Sequence, residues 1–290
     1  MRREPGRPAL PALALAALAA LGLAACSPAY FVGLNASDGP TPAQTRVYDP
    51  ERGLAVDIVR PAGGGSGAPV VVFFHGGGWQ SGTRGQYRFV ADALAARGLV
   101  VALPDYRKHP QVRFPAFVED GARAVAYVAR HARAFGGDPD RVFLSGHSAG
   151  AHIAALLATD ARYLTAHGIQ PRELAGVIGV AGPYDFLPLS DPALKAVFGP
   201  EAGRPASQPV NFVDGDEPPF LLLHGERDRR VWLRNSESLA RALREARVPV
   251  QLQVYAGVGH ARILSAYRFQ WLAPTVADSV EFVERHATAR

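Results

Sequence analysis

Residues 141–150 read Arg-Val-Phe-Leu-Ser-Gly-His-Ser-Ala-Gly, and this stretch decides the fold. Its first half is the apolar run of a buried strand over 142–145, and residues 149–159 have the composition of a helix. Between the two lies the pattern Gly-x-Ser-x-Gly, centred on Ser148. Glycines are needed two residues before and two residues after the serine where a strand turns so sharply into a helix that side chains there would collide with neighbouring strands. The stretch therefore predicts a reactive Ser148 on a tight strand-to-helix turn.

On both sides of this turn, short β-rich runs alternate with longer helical patterns. The alternation is typical of a mostly parallel sheet with helices on both faces. Residues 183–218 are rich in proline and lack a period, which predicts loops and short helices that form a small cap over the sheet edge. The predicted strands are 69–74, 99–104, 142–145, 176–181, 220–224 and 250–255, and the predicted helices are 86–97, 115–134, 149–159, 231–246 and 274–286.

A second glycine-rich segment follows the strongest predicted strand. Residues 75–80 read His-Gly-Gly-Gly-Trp-Gln. Without side chains in the way, the N–H groups of Gly77 and Gly78 can approach a substrate, and with the N–H of Ala149 they can bind an oxyanion. A flexible glycine turn is the alternative interpretation. The position of the segment upstream of Ser148 favours an oxyanion hole.

A serine hydroxyl needs a general base that is itself oriented by an acid. The chain has 9 histidines. We expect His260 to be the base, because it follows the last predicted central strand on a glycine-bearing loop and can reach over the sheet edge. We expect four other histidines to pack or to bind elsewhere: His75, His147, His152 and His224.

The acid is expected at Asp228, which follows the predicted strand 220–224. It gives the chain order Ser, Asp, His that is expected when the serine lies on such a turn. Glu226 is a competing carboxylate, and a surface ion pair is the alternative role for either residue. Trp79, Tyr184 and Phe186 are expected to form walls of the substrate pocket, with aromatic core packing as the alternative.

These features together resemble the α/β-hydrolase superfamily, in its carboxylesterase branch near the hormone-sensitive-lipase-like esterases. The resemblance runs from about residue 53 to residue 260. It implies an α/β-hydrolase fold and a serine carboxylesterase that hydrolyses small to medium acyl esters through an acyl-enzyme intermediate, with no cofactor and no metal. Three further segments share the branch's pattern: Asp-Tyr-Arg at 105–107, Phe-Pro-Ala-Phe-Val-Glu-Asp at 114–120 and Gly-Asp-Pro-Asp-Arg at 137–141.

The substrate class stays open at this point. His147 stands where hormone-sensitive-lipase-like enzymes commonly have an aspartate, and with Trp79-Gln80 it is closer to prenylcysteine-methylesterase-like and kynurenine-formamidase-like members. An arylformamidase-like amide hydrolase on the same three residues is therefore an alternative. A non-catalytic lipoprotein that uses the fold as a binding module is an alternative from another class.

The N-terminus has the pattern of a targeting segment. Three arginines in residues 1–8 precede an uncharged Ala- and Leu-rich stretch over 9–25, which is typical of a secretory signal. The stretch ends in Leu-Ala-Ala-Cys at 23–26, which resembles the lipobox of bacterial lipoproteins. That resemblance implies cleavage after residue 25, a lipid on Cys26 and a place in the bacterial cell envelope. We expect a tether over 26–44 and one domain over 45–290.

The overall charge excludes one class of partner. The chain of 290 residues has a formal net charge of +5, from 31 basic and 26 acidic residues. The basic residues are scattered among acids, and the densest pair, Arg229 and Arg230, stands beside Glu226 and Asp228. The sequence therefore lacks the basic stripe that nucleic-acid binding requires.

Overall fold

The computed structural model describes residues 28–36 and 43–287, and its centre is a sheet of eight strands. The strand order is β1-β2-β4-β3-β5-β6-β7-β8; β2 is antiparallel to both of its neighbours, and all other adjacent pairs are parallel. The strands are β1 (Ala43–Asp49), β2 (Leu54–Val59), β3 (Ala68–Phe74), β4 (Val100–Pro104), β5 (Gly137–His147), β6 (Gly176–Val180), β7 (Phe220–Gly225) and β8 (Val250–Tyr255).

Helices cover both faces of this sheet, as predicted. They are α1 (Pro28–Asn35), α2 (Arg88–Ala95), α3 (Ala116–His131), α4 (Ala149–Thr159), α5 (Ala161–Thr165), α6 (Pro192–Phe198), α7 (Arg234–Glu245), α8 (His260–Ser265) and α9 (Thr275–Ala287). Short 3₁₀ helices lie at Arg84–Tyr87, Ala132–Phe135, Pro171–Glu173, Glu201–Ser207 and Pro209–Phe212. Within the described ranges, no helix is both long enough and apolar enough to cross a bilayer.

Two apolar cores hold these layers together. On β3 the side chains alternate, so that Val70, Val72 and Phe74 contribute to one core and Val71 and Phe73 to the other. The first core lies under α3, α4 and α7, and the second lies under α1, α2, α8 and α9. Because β3 is buried on both faces, it reads as a continuous apolar run in the sequence.

The beginning of the domain corrects the predicted tether over residues 26–44. Pro28–Asn35 is a helix, and in it Tyr30, Phe31 and Leu34 are buried in the second core. The hydroxyl of Tyr30 lies 2.9 Å from the carbonyl of Ala261 and 2.8 Å from Ser265 Oγ, both on α8. The apolar residues of a short, proline-bearing segment therefore pack as part of the domain. The predicted cleavage site and Cys26 lie outside the described residues.

Two of the segments that carried the resemblance meet in a buried ion pair. Arg107, just after β4, donates to the carboxylate of Asp120 on α3 through its backbone N–H at 3.0 Å and its side chain at 2.9 and 2.8 Å. Arg123 also pairs with Asp120, and it lies 3.0 Å from Asp49. The Asp120 side chain is fully buried, so this network ties the end of β4 to α3.

Residues 183–218 form loops, α6 and two 3₁₀ helices, which agrees with the expected short elements. Phe186 and Leu194 of this segment line a cleft together with Ser148, which directly follows the carboxyl end of β5. This edge of the sheet is where open α/β sheets place their ligand sites.

Candidate active site

Ser148 occupies a strained turn between β5 and α4. Its backbone has φ 55° and ψ −121°, a conformation that residues other than glycine rarely adopt. A side chain at Gly146 would collide with the backbone of Gly150, and one at Gly150 would collide with the carbonyl of Phe74 on β3. The turn is held by the Ser148 N–H, which donates to the carbonyl of Val180 at 2.9 Å. These collisions explain why the sequence has glycine at both positions.

The glycine segment after β3 lies beside this serine. Gly77 has φ 130° and Gly78 has φ 60°, and a side chain at Gly77 would collide with the carbonyl of Ser81. The carbonyl of Gly77 accepts hydrogen bonds from the N–H groups of Gln80 and Ser81 at 3.1 and 3.0 Å, which fixes the loop. Gly77, Gly78 and Ser148 line the same cleft. Ala149 is the first residue of α4, so its N–H is not needed by the helix and remains available at the positive end of the helix dipole.

Asp228 and His260 are joined directly. His260 Nδ1 lies 2.6 Å from Asp228 Oδ2, and the other carboxylate oxygen accepts from the N–H groups of Arg230 and Val231, each at 2.9 Å. Burial alone would raise the pKa of Asp228, but the hydrogen bond and charge of His260 and the two backbone donors together hold this pKa below its usual value. Asp228 is therefore an ionised, fully oriented partner for the imidazole.

The position of His260 differs in one respect from the prediction. It lies after β8 as expected, but it is the first residue of α8 rather than a loop residue. Gly257 has φ 70° and makes the turn, and Gly259 caps the helix. The competing carboxylate, Glu226, is exposed and accepts from the Gly257 N–H at 2.9 Å. The two acids therefore have different partners, and only Asp228 contacts the histidine.

His147 supports His260 from the other side. Its Nε2 lies 3.3 Å from the carbonyl oxygen of His260, and its Nδ1 lies 3.2 Å from the hydroxyl of Tyr87. A carbonyl only accepts, so Nε2 carries the proton and Nδ1 accepts from the tyrosine. Burial, with the charge of His260, lowers the pKa of His147 well below its usual value. A neutral His147 therefore holds the backbone of the residue that carries the imidazole.

Trp79 lines the cleft, but most of its side chain is buried behind it. The indole N–H donates to His152 Nδ1 at 3.3 Å, and His152 Nε2 donates to the carbonyl of Ser207 at 2.7 Å. Burial lowers the pKa of His152 to about 4, which keeps this bridge neutral. The rings of Phe117, Phe186 and Phe198 pack around the indole. Trp79 therefore has both roles that the sequence offered: it is part of the cleft wall, and its ring packs in the core.

Tyr184 is not a wall of the cleft, which corrects its predicted place. It is fully buried, and its hydroxyl end fills the space left by the missing side chains of Gly179 and Gly182. Its backbone N–H donates to Asn235 Oδ1 at 3.1 Å. The chain therefore turns the ring of Tyr184 over β6, whereas Phe186, which was also expected at the wall, lines the cleft.

The cleft itself has a volume of about 760 Å³ and opens at the carboxyl ends of the strands. Ser148 and His260 both line it. Several other lining residues were not predicted, because they come from parts of the chain that are distant in sequence and carry no motif. These are Phe31 from α1, Leu189 and Leu194 from the proline-rich segment, Trp232 and Arg234 near α7, and Leu264 from α8.

The arrangement can support nucleophilic attack by a hydroxyl. It combines a serine on a strained turn, a histidine held by a buried carboxylate, and free N–H groups at a helix N-terminus beside a glycine loop. Among the described residues, no group of three or more potential metal ligands lies close enough together to hold an ion.

Comparison with protein families gives a match to the BD-FAE family model over residues 56–243. The chain is 31% identical over 235 residues to isoprenylcysteine alpha-carbonyl methylesterase from Arabidopsis thaliana. This match covers 74% of this chain and 55% of the methylesterase. It is also 33% identical over 213 residues to the esterase LipC of Mycobacterium tuberculosis. This match covers 67% of this chain and 53% of LipC. The chain therefore spans about half the length of these relatives.

Solved structures of similar fold include esterases. Thermogutta terrifontis esterase 2, phosphoramylated by tabun, has a TM-score of 0.72 and 26% identity and covers 85% of this chain and 96% of its own. The same esterase with butyrate bound has a TM-score of 0.71 and 26% identity and covers 84% of this chain and 94% of its own. A carbohydrate esterase from gut microbiota has a TM-score of 0.74 at 20% identity and covers 87% of this chain and 99% of its own, which supports the fold alone.

Proposed function

The chain belongs to the BD-FAE family and has the α/β-hydrolase fold, and from this we propose that it is a serine carboxylesterase. The observation that carries the proposal is the hydrogen bond of 2.6 Å between Asp228 and His260, with His260 and Ser148 lining one cleft. A buried carboxylate that orients an imidazole beside a strained serine is the arrangement that acyl transfer to serine requires.

The mechanism follows from these groups. His260 Nε2 takes the proton of Ser148 Oγ as that oxygen attacks the ester carbonyl, and Asp228 stabilises the imidazolium that forms. The N–H groups of Gly77, Gly78 and Ala149 bind the oxyanion of the tetrahedral intermediate. The imidazolium then protonates the leaving alcohol, and an acyl group remains on Ser148. A water molecule, deprotonated by His260, releases the acid and restores the serine.

We propose small to medium acyl esters as substrates. The names of related proteins support this size, since esterase 2 of Thermogutta terrifontis has been solved with butyrate and with propionate. The cleft supports it as well, because Phe186, Leu189 and Leu194 offer an apolar wall beside Ser148.

The test is hydrolysis of 4-nitrophenyl esters from acetyl to dodecanoyl by the wild type and by Ser148→Ala. We expect turnover that is highest for short chains and is lost by a factor of at least about 10⁴ in the variant. The same circular dichroism spectrum for both proteins controls for folding. Turnover by Ser148→Ala equal to that of the wild type would exclude this mechanism. Hydrolysis of N-formylkynurenine without ester hydrolysis would instead favour a formamidase.

We propose, in addition, that Cys26 carries a lipid that holds the protein in the bacterial cell envelope. The support is the sequence of residues 1–26, with its arginines, its apolar stretch and its Leu-Ala-Ala-Cys end. Two or more acyl chains are enough for stable attachment. The first described helix begins at Pro28, so a lipid at Cys26 would hold the domain close to the membrane surface.

This second proposal is tested by expressing the full chain and Cys26→Ser in a bacterium fed with labelled palmitate. We expect label and membrane fractionation for the wild type, and neither for the variant. Intact-mass measurement of the purified protein provides an independent reading of cleavage and acylation. An unlabelled wild-type protein of full sequence mass would overturn the proposal.

A further inference from the structure

The outward face of helix α1 is apolar, although it is exposed. Its outward residues are Pro28, Ala29, Val32 and Gly33. A helix on the surface of a domain normally carries polar or charged side chains on its outward face, and a helix that is apolar all round is normally covered on every side. The inner face of α1 is buried in the second core. The outward face is therefore the part that still requires an apolar neighbour.

A second exposed apolar segment adjoins α1. Phe269 and Trp271 follow α8 and are exposed, Trp271 to 74%. The preceding residue, Arg268, donates to the carbonyl of Ala36 at the end of α1 at 2.8 Å. Of the six large apolar side chains that are exposed in the described residues, three therefore lie in these two adjoining segments, namely Val32, Phe269 and Trp271. We call the outward face of α1 together with Phe269 and Trp271 the α1 patch.

The border of the α1 patch is basic. Arg97, Arg262 and Arg268 are exposed, and residues 246–277 contain neither aspartate nor glutamate. Arg97 donates to the side chain of Gln270 at 3.2 Å, and Arg268 donates to a backbone carbonyl; both partners are neutral and leave the positive charge in place. An apolar patch with a basic border fits the surface of a bilayer that contains anionic lipid. A second copy of the chain would instead bring like charges together.

The place of the α1 patch along the chain also favours a bilayer. Cys26, the proposed lipid site, precedes the first residue of α1 by two positions. Because an extended chain spans at most about 3.6 Å per residue, two residues reach only about 7 Å. A lipid on Cys26 would therefore hold α1 at the membrane surface. Tryptophan is favoured at the boundary between lipid headgroups and acyl chains, which is the depth that Trp271 would reach there.

We propose that the α1 patch rests on the surface of a bilayer that contains anionic lipid, with Phe269 and Trp271 at the boundary of the acyl chains and the bordering arginines among the headgroups. The proposal builds on the lipid attachment proposed above, because that attachment brings the patch to the membrane. It adds a fixed orientation of the domain. Phe31 of α1 lines the cleft, so in this orientation the cleft lies next to the membrane surface.

The experiment measures quenching of tryptophan fluorescence by lipids that are brominated on their acyl chains. The full chain is expressed in a bacterium, purified in detergent and reconstituted into vesicles of phosphatidylethanolamine and phosphatidylglycerol, with and without bromine. The chain has 3 tryptophans, of which Trp79 is buried. Trp271→Phe tests the patch. The matched control is Trp232→Phe, since Trp232 is 62% exposed but lies at the cleft.

We expect brominated lipid to quench the wild type, because bromine quenches at short range and Trp271 would lie beside the acyl chains. Trp271→Phe should remove most of the quenched emission, and Trp232→Phe should keep it. Equal quenching of the wild type and Trp271→Phe would overturn the proposal. A loss confined to Trp232→Phe would also overturn it, since the rim of the cleft would then lie in the bilayer instead.

A second measurement reads the outward face of α1 itself. Val32→Cys and Val47→Cys are labelled with a thiol-reactive dye, and the wild type, which has Cys26 as its one cysteine, gives the blank. Val47 is the matched control, because it is an exposed valine on β1. In vesicles we expect iodide to quench the dye at residue 47 and not the dye at residue 32. Equal access to both positions would overturn the proposal, and shielding of residue 32 without quenching of Trp271 by brominated lipid would indicate a second copy instead.

The intact mass and flotation of the reconstituted protein separate this proposal from that of the lipid. A lipidated protein that floats with the vesicles but shows no quenching of Trp271 overturns the α1 patch alone. An unlipidated protein whose Trp271 is quenched supports the patch and overturns the lipid on Cys26. A wild type that does not associate with the vesicles overturns the patch whatever its mass.

Discussion

The role of each carboxylate near this cleft depends on its hydrogen-bond partners. Asp228 and Glu226 are two positions apart, and the sequence makes both candidates for the acid. The fold separates them, since burial and the backbone N–H groups of Arg230 and Val231 hold Asp228 against His260, whereas Glu226 contacts a turn. The partner of each carboxylate depends on contacts across the sheet edge, which the local sequence does not contain.

Asp228→Asn is expected to lower kcat/KM for 4-nitrophenyl butyrate by about 10⁴. An amide at this position can donate to the imidazole, which favours the tautomer that cannot accept the Ser148 proton. Glu226→Gln is the control and is expected to keep most of the activity. Comparable losses in the two variants would show that Asp228 has no special role.

His152 is expected to make the protein less stable in acid. Its pKa is about 4 in the fold and about 6.5 in the unfolded chain, so below pH 6.5 the unfolded state binds a proton that the folded state does not. The free energy of unfolding is therefore lowered as the pH falls from 6.5 to about 4, by up to about 1.4 kcal/mol per pH unit.

His152→Gln removes this titration, although it also alters the link to Trp79 and Ser207. Urea denaturation at pH 7 and pH 5 measures the effect. We expect the loss of stability between these two values to be smaller in the variant by about 2 kcal/mol. An equal loss in both proteins would mean that His152 is protonated in the fold.

At the scale of elements, the sequence predicts what is periodic and apolar. Helix α4 and strand β8 have the predicted bounds, and β3, buried on both faces, was the clearest strand. Strands β1 and β2 were not delimited in advance. The first five residues of β1 are exposed, so the strand is defined by its pairing with β2 and not by an apolar pattern. Helix α8 was missed because its six residues are too few to show a period.

The contact between β4 and α3 is expected to depend on Asp120. Asp120→Asn leaves Arg107 without its buried counter-charge, whereas Arg123 keeps Asp49, and we expect the change to lower the free energy of unfolding by about 3 kcal/mol. Asp138→Asn is the matched control, since the ion pair of Asp138 with Arg141 at 2.8 Å is partly exposed and should contribute less than about 1 kcal/mol. Equal effects in urea denaturation would contradict the structural role of the buried pair.

At the scale of the whole molecule, sequence motifs predict the fold and the reactive residues but not the shape of the cleft. The α/β-hydrolase fold, the turn at Ser148 and the pairing of Asp228 with His260 follow from motifs and their order along the chain. The walls of the cleft do not, because α1, the proline-rich segment and the region near α7 meet there only in three dimensions. Tyr184 shows the limit, since its proximity to a strand end did not reveal that its ring fits over Gly179.

Helix α1 is expected to unfold together with the domain. Leu34→Ala should lower the free energy of unfolding by about 2 kcal/mol, because Leu34 is 3% exposed in the second core. Val32→Ala is the control on the same helix, and since Val32 is 71% exposed it should change stability by less than about 0.5 kcal/mol. If both variants have the wild-type free energy of unfolding, the packing of α1 does not contribute to the stability of the domain.

The position of α1 also has a mechanical consequence. The hydroxyl of Tyr30 hydrogen-bonds to α8, the helix that begins with His260. Asn35 donates to the carbonyl of Gln86 at 3.0 Å and accepts from the N–H of Phe89 at 2.9 Å. Tension applied to the chain ahead of Pro28 therefore acts on the base and on the segment beside the cleft before it reaches the sheet. Molecules held on a bead by residue 27 and stretched in flow should lose turnover at forces that leave the sheet intact, and molecules held through exposed Val47 should not. The point at which the protein is attached would then affect the rate of the proposed reaction.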